Sequence, residues 1–167
     1  IAIEPAGRVH AESTIDAPLS ARAVWGQMRD ARRFLAIDPL HQRILTPDSH
    51  DPMLREGDRL RIPHRFAGVG PDRVGRVLRW VEGEGYVISD LSRRGPRVGF
   101  PHVCAYWLEE VGPASCRLRI EVRGRWTARW LPRPVARAWL GWIMRATEIG
   151  VRAELRSLAA RRARVAN

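Results

Sequence analysis

The segment 116–126 constrains the fold more than any other, because apolar and charged side chains alternate along it with a period of two. The apolar positions are Cys116, Leu118, Ile120, Val122 and Trp126. The charged positions between them are Arg117, Arg119, Glu121, Arg123 and Arg125. This alternation is typical of a strand that packs one face on a core and leaves the other in water. We therefore expect an antiparallel sheet that is covered on one side only.

The segment 132–164 is expected to cover that sheet as one long helix. Pro134 suits the first turn of a helix, where a backbone N–H has no partner within the helix. Apolar residues then recur at steps of three and four, at Val135, Trp139, Trp142, Ala146, Ile149 and Ala153. This spacing predicts one apolar stripe along the helix, facing the sheet.

Shorter patterns predict the remaining elements. Residues 8–16 alternate as a strand, Pro18 breaks the pattern, and Ser20 is a suitable N-cap for a helix over 19–28. A second short helix is expected over 30–36, and further strands over 41–46 (weakly), 59–66, 73–82, 86–92, 102–110 and 116–127. Turns at 83–85 and 112–114 predict hairpins. Pro63 marks an edge strand or a bulge.

The order of these elements predicts an α+β fold. A curved antiparallel sheet of about seven strands, two short helices and a long C-terminal helix would together enclose a cavity. A chain of 167 residues suits one domain, so we expect residues 1–167 to form a single one. Apolar cavities of this kind bind small molecules.

The segment 13–39 carries a motif of a known superfamily. Bacterial members of the polyketide cyclase and START-like (SRPBCC) superfamily have a strand ending Ile-x-Ala-Pro, a helix with Val-Trp, then Asp, then Phe before Trp-x-Pro. The matching residues here are Ile15, Ala17, Pro18, Val24, Trp25, Asp30, Phe34 and Pro39. Ile37 stands where the superfamily has Trp, which predicts a smaller wall at the cavity mouth. The chain resembles this superfamily, and the resemblance implies the helix-grip fold of the birch pollen allergen.

The parity of the strands predicts which side chains face the cavity. Leu60, Ile62, His64 and Phe66 point inward together. If the 110–116 hairpin keeps even residues in register, His102, Cys104, Tyr106 and Leu108 join Leu118, Ile120 and Val122 inside. A loop one residue different would bring Trp107 inward instead. The predicted ligand-binding residues are Trp25, Met28, Ile62, His64, Phe66, Tyr106, Ile120, Trp126, Trp139 and Ile143.

Three of these inward residues are candidates for catalysis, namely His64, His102 and Tyr106. A histidine beside a tyrosine could polarise a ligand carbonyl or act as an acid–base pair. The alternative is a core histidine that is simply hydrogen bonded to a neighbour. Asp38 and Asp90 are further candidates, although Asp38 precedes Pro39 and can equally shape a turn.

Several classes of site find no support in the sequence. The five histidines have no His-x-x-x-His or His-Glu-x-x-His spacing, so no metal is expected. Rieske, nucleophile-elbow and phosphate-loop motifs are not found either, and no cofactor is predicted. Cys104 and Cys116 lack Cys-x-x-Cys spacing, which favours two buried thiols in a reduced, cytoplasmic protein.

The charge suggests a second kind of partner. All 29 basic residues are arginine, 18 residues are acidic, and the net charge is +11. Such a balance attracts anions, including RNA, the ribosome and anionic membranes. The outward arginines of 116–126 and the run 161–164 are the candidate surfaces.

Three functions follow, in this order of preference. The first is a carrier or binding protein for a small hydrophobic ligand, such as a lipid, a quinone or a polyketide-like molecule. The second is a cyclase or dehydratase that needs no metal, and the third is a protein that binds RNA, the ribosome or an anionic membrane through its basic surface. A homodimer is compatible with each of them.

Overall fold

The computed structural model describes residues 1–41, 44–46, 53–66, 70–95, 97–128 and 131–166. Within them, seven strands form one sheet: β1 (Ala2–Ile3), β2 (Arg8–Ala17), β3 (Arg59–Pro63), β4 (Asp72–Val81), β5 (Gly85–Ser92), β6 (His102–Gly112) and β7 (Ser115–Arg125). The helices are α1 (Ala21–Met28), α2 (Ala31–Leu35) and α3 (Arg133–Ala166). This is the α+β arrangement predicted from the element order.

The sheet is antiparallel throughout, with the strand order β1-β2-β7-β6-β5-β4-β3. Strand β3 lies at one edge, as Pro63 indicates, because proline cannot donate a ladder hydrogen bond. The predicted strand over 41–46 is reduced to two isolated bridges, His41 with His64 and Leu45 with Arg61. Residues 42 and 43 of that segment lie outside the described residues. Strand β1, which pairs with β2, was not predicted.

The two short helices begin at the residues that the sequence favours as caps. The hydroxyl of Ser20 accepts a hydrogen bond from the Ala23 amide at the start of α1, and the Asp30 carboxylate accepts one from the Arg33 amide at the start of α2. Each cap satisfies an amide that has no partner within its helix. Trp25 of α1 is buried, and its indole N–H donates to Glu82 at 2.9 Å.

The register of the β6–β7 hairpin decides which side chains face inward. Tyr106 lies opposite Ile120, and Leu108 opposite Leu118, so even-numbered residues share the inner face. Of the two registers that the sequence left open, the structure has the one that keeps even residues inside. Trp107 lies on the other face, where the Arg79 guanidinium stacks 5.5 Å from its ring centre.

The buried face of α3 differs from the predicted stripe. The buried side chains are Ala136, Leu140, Thr147, Val151, Leu155 and Leu158. Val135, Trp142, Ile149 and Ala153 are exposed, so the prediction was wrong at these positions. The observed stripe lies one residue from the predicted one in the N-terminal half (136, 140 and 147 in place of 135, 139 and 146) and two residues from it further on (151 and 155 in place of 149 and 153). This displacement corresponds to about 100–200° around the helix, and the steps of three and four are kept. Periodicity alone could not choose between two faces that both carry large apolar residues.

The interior is divided along α3. Its C-terminal half, with Val151, Leu155 and Leu158, belongs to the main core together with α1, α2 and the inner face of the sheet. Its N-terminal half, including Leu140 and Ile143, instead covers an open space. We call the space between the inner face of the sheet and α3 the grip. The core fills its solid end, under the C-terminal half of α3, and its hollow end lies under the N-terminal half.

Three of the four outward arginines of 116–126 pair with carboxylates on the outer face of the sheet. Arg119 contacts Glu12 at 3.2 Å and Glu121 at 3.4 Å, and Arg123 contacts Glu121 at 2.5 Å. Arg117 pairs in the same way with Asp16. The predicted basic row is thus largely offset by acidic neighbours. In the part of the chain that the structure describes, no helix combines the length and apolar character that crossing a bilayer requires.

Candidate ligand-binding cavity

The hollow end of the grip is a cavity of about 260 Å³ between the sheet and the N-terminal half of α3. Its walls are mainly apolar, and several are aromatic. The lining residues include Val9, Ala11, Leu40, Phe66, Phe100, Cys104, Tyr106, Ile120, Val122, Trp126, Trp139, Leu140, Ile143 and Met144. The polar lining residues include Asp38, His41, His64, Arg65, Arg73, His102 and Thr147.

The structure places most of the predicted ligand-binding residues in this lining. They are His64, Phe66, Tyr106, Ile120, Trp126, Trp139 and Ile143. Trp25, Met28 and Ile62 are corrections, because they are buried in the packed core. Their side chains point inward as predicted, but α1 and the inner face of β3 fill the solid end of the grip. Parity predicts the inner face and not the position of the cavity along it.

Asp90 of β5 forms the centre of a buried polar cluster beside the cavity. It is 1% exposed. Arg73 of β4, 6% exposed, binds the Asp90 carboxylate through Nε. Its Nη2 also donates to the carbonyl oxygen of Asp90 at 2.9 Å and to that of Phe100 at 2.6 Å. Arg73 therefore holds Oδ1 of Asp90 and leaves Oδ2 to other groups.

Three histidines face the second carboxylate oxygen of Asp90. Their Nε2 atoms lie 2.9 Å (His64), 3.6 Å (His102) and 4.0 Å (His41) from Oδ2. The Nε2 atoms of His41 and His64 are 3.0 Å apart. All three side chains are largely buried and also line the cavity.

Backbone carbonyls fix the orientation of two of these rings. Nδ1 of His41 donates to the Leu35 carbonyl oxygen at 2.8 Å, and Nδ1 of His102 donates to the Phe100 carbonyl oxygen at 2.9 Å. A carbonyl oxygen only accepts, so each Nδ1 carries the proton. In the neutral rings, Nε2 then bears a lone pair that is directed toward Asp90.

The cluster keeps Asp90 ionised. Burial tends to raise the pKa of this carboxyl, but the charge that His102 carries when protonated, the hydrogen bond and charge of His64 and the charge of Arg73 outweigh burial and hold its pKa well below the usual range. Burial lowers the pKa of His102, with Asp90 opposing that effect. At neutral pH the cluster therefore contains a carboxylate, a guanidinium and at least one neutral imidazole.

Tyr106 is separate from the histidines, although it lines the same cavity. Its side chain is hydrogen bonded to Cys104, and its ring lies near Tyr86 and Phe34, with ring centres 5.1 and 5.8 Å away. Burial raises the pKa values of Tyr106 and Cys104, so both are protonated at neutral pH. No hydrogen bond joins Tyr106 to His64 or His102 among the described residues. The prediction that a histidine and Tyr106 act together on a ligand stays a prediction.

Sequence reasoning did not find His41 and Arg73. His41 reaches the cluster through its bridge to His64, and that contact depends on how the segment at 41–46 pairs with 59–66. Arg73 is an arginine in a strand rich in arginine, and no local signal separates a buried one from an exposed one. Asp90 was among the further candidates, but the sequence did not place it beside the histidines.

Ile37 and Asp38 lie in the segment that connects α2 to the cavity-lining residues Leu40 and His41. Asp38 accepts a hydrogen bond from the Leu40 amide at 2.8 Å, as expected of an aspartate that shapes a turn, and another from the Thr147 hydroxyl at 3.3 Å. Ile37 packs close to Gly150 of α3 and does not line the cavity. The expectation that Ile37 would alter the cavity mouth is corrected by this placement.

An exposed aromatic group lies where the cavity reaches the surface. Phe66 lines the cavity and is 53% exposed, and its ring centre lies 4.9 Å from that of Trp139 and 5.9 Å from that of Trp142. Trp142 was predicted on the buried stripe of α3. It is exposed instead, and its contact with Phe66 places it at the rim of the cavity.

The comparisons with known proteins bear on the fold. No family model matches the sequence, and no curated protein matches it. Among solved structures, an aromatase/cyclase named Zhui from Streptomyces sp. R1128 superposes with a TM-score of 0.68 at 15% identity, covering 92% of this chain and 95% of that one. A START superfamily protein from Mycobacterium smegmatis gives 0.67 at 14% identity, with 89% and 98% covered.

A third structure, Ara h 8.0201, gives a TM-score of 0.65 at 12% identity, covering 90% of this chain and 99% of that one. These likenesses extend over most of the chain in each case. The chain therefore has the helix-grip fold of the START-like and birch-pollen-allergen-like proteins, as the motif at 13–39 predicted. At such low identity, its function has to be argued from its own cavity.

Proposed function

We propose that this protein binds a small, flat and largely apolar molecule that carries an oxygen group at one end. The observation that carries the proposal is the cavity itself, which has aromatic and aliphatic walls and the imidazoles of His41, His64 and His102 at one side. Apolar walls with a few convergent polar groups are typical of small-molecule sites. We further propose that residues 1–167 act as one domain and work in the cytoplasm, where the buried thiols stay reduced.

The size of the cavity limits the ligand. At about 260 Å³ it lies just below the range of about 300–1,000 Å³ that is usual for ligand pockets. A single aromatic or quinone-like ring system suits this space better than a lipid with two long chains. The ring would lie between the aromatic walls, and its oxygen would face the histidines.

Filling the cavity should abolish binding without harming the fold. Val122 lines the cavity from β7 and is partly buried, so Val122→Phe would place a ring in the space that the ligand needs. We expect the affinity for an apolar fluorescent probe, and for any co-purified ligand found by native mass spectrometry, to fall more than about tenfold, which corresponds to 1.4 kcal/mol.

The matched control is Val111→Phe, the same substitution at an exposed position. Its affinity for the probe should equal that of the unchanged protein. If Val122→Phe binds the probe as well as Val111→Phe does, with both variants folded by circular dichroism, the cavity is not the binding site.

A second candidate is a cyclase or dehydratase, and the specific observation in its favour is the pairing of His64 with Asp90. Nε2 of His64 faces the carboxylate, as in other sites where an acidic group orients an imidazole and stabilises its charged form. Nδ1 of His64 has no hydrogen-bond partner among the described residues. In an aldol cyclisation it would take a proton from the carbon beside a carbonyl, and the enolate would attack a second carbonyl of the same molecule. That proton would then return to the new alkoxide.

Replacing His64 separates catalysis from binding. If His64 transfers protons, His64→Ala should lower the turnover of a β-polyketone substrate by about 10²–10⁴-fold while binding of the apolar probe changes little. His10→Ala removes an exposed imidazole and should leave turnover unchanged. Equal turnover in the His64 and His10 variants would eliminate this role for His64.

A further inference from the structure

We propose that His41, His64 and Asp90 form a binding site for a divalent transition-metal ion with an open position toward the cavity. The inference rests on the proposed function, since it names the group that would hold the oxygen of the ligand. The histidines have no local metal-binding spacing in the sequence. The fold brings His41 and His64, 23 residues apart, to the same carboxylate.

The spacing of the three ligand atoms suits one ion. Zinc bonds of about 2.0–2.1 Å to nitrogen and oxygen place tetrahedral ligand atoms about 3.3–3.4 Å apart. The observed separations are 3.0 Å (His41 Nε2 to His64 Nε2), 2.9 Å (His64 Nε2 to Asp90 Oδ2) and 4.0 Å (His41 Nε2 to Asp90 Oδ2). They bracket the value expected around a single ion, and changes of about 0.3–0.7 Å in these separations would equalise them.

The positions of the protons on His41, His64 and Asp90 favour a bound cation between these three side chains. Nε2 of neutral His41 has a lone pair, because Nδ1 of that ring carries its proton. Asp90 is a carboxylate, so Oδ2 only accepts. A single N–H, on Nε2 of His64, is then left to serve two acceptors. When the proton of His64 lies on Nδ1 instead, its Nε2 is an electron-pair donor as well, and a metal ion would then satisfy all three donors together.

The surroundings have the outer contacts that metal ligands usually possess. Nδ1 of His41 donates to the Leu35 carbonyl, which fixes its ring and directs Nε2 inward. Arg73 holds Oδ1 of Asp90, so the carboxylate offers Oδ2 alone. Two imidazoles and one carboxylate with a free position are a donor set used by zinc and by non-haem iron(II).

The charge of the cluster selects the class of ligand. The Asp90 carboxylate is already offset by Arg73, so a divalent ion would leave excess positive charge in a buried place. An anionic oxygen donor, such as a carboxylate or an enolate, would offset that charge best. His41 and His64 line the cavity, which opens the remaining position to the ligand. Such an ion would stabilise an enolate as a Lewis acid.

A second cluster on the outer face provides an internal control. His10, Glu12 and Glu121 also bring ligand atoms within 4.8 Å of one another. Their carboxylates are already paired with Arg119 and Arg123, and His10 is half exposed. We expect no tight metal binding there, because arginine already occupies the oxygen donors.

Zinc titration of the chelator-treated 167-residue chain tests the site. Isothermal titration calorimetry should show one Zn²⁺ per chain. His41→Ala and His64→Ala should each weaken binding by more than about 100-fold, which is the upper end of the effect of losing an outer contact. His10→Ala should bind like the unchanged protein. Cobalt(II) in place of zinc should show visible absorption that His41→Ala alters, which reports ligation even if one variant is less stable.

Each outcome of the zinc titration either supports or overturns the metal site. The proposal is overturned if the unchanged protein binds no zinc, or if the His41 and His64 variants keep its affinity, or if His10→Ala loses binding equally. Probe binding by the metal-free protein is measured in parallel. Probe binding without zinc binding leaves the proposed ligand site intact and removes the metal, whereas zinc binding without probe binding does the reverse.

Discussion

Replacing Asp90 by asparagine should lower the free energy of unfolding by about 3–5 kcal/mol, the cost of removing one partner of a buried ion pair. The substitution keeps the shape of the side chain and removes its charge. The Arg73 guanidinium, 6% exposed, would then remain buried without a counter-ion. Urea unfolding followed by tryptophan fluorescence would measure the change.

An exposed ion pair supplies the control for this experiment. Asp16 pairs with Arg117 at 2.9 Å on the outer face, where both side chains are well exposed. Asp16→Asn should leave the unfolding midpoint unchanged, because solvent screens such pairs. A double variant, Asp90→Leu with Arg73→Leu, should recover much of the loss, since it leaves neither charge buried. If Asp90→Asn is no less stable than Asp16→Asn, the Arg73 pair does not stabilise the fold.

The inner face of the sheet could be predicted because alternation has a period of two. Once the hairpin register was chosen, His102, Tyr106 and Ile120 had to lie on the same side, and they do. Where the cavity lies along that face could not be predicted. It depends on how far α1 and the C-terminal half of α3 fill the grip, and that is decided by packing between distant segments. Trp25 and Ile62 were therefore expected at the cavity and lie in the core.

The polar cluster shows a different limit. His64 and His102 were recognisable because polar residues are unusual on an inner face. His41 and Arg73 complete the cluster through contacts between separate strands and loops, and nothing in their local sequence reports those contacts. The metal motifs sought in the sequence are local ones, so they would miss ligands that tertiary structure brings together.

Replacing Leu155 by alanine should lower the free energy of unfolding by about 2–5 kcal/mol, while Ile149→Ala should change it by no more than about 0.5 kcal/mol. Leu155 is 3% exposed within the core, and Ile149 is 56% exposed on the same helix. The apolar stripe predicted from the sequence places Ile149 inside and omits Leu155, so it predicts the opposite order. The two substitutions remove similar volumes, which makes each the control for the other.

Thermal and urea unfolding of these two variants would therefore decide which face of α3 is packed. The structure requires the face with Val151, Leu155 and Leu158, because these residues meet α1 and the inner face of the sheet at the solid end of the grip. Equal losses in both variants would mean that Ile149 is also buried, against its exposure here. A larger loss for Ile149→Ala would mean that α3 packs through the predicted stripe instead, which requires a rotation of the helix by more than about 100°. It would also carry Leu140 away from the cavity wall and so change the ligand site.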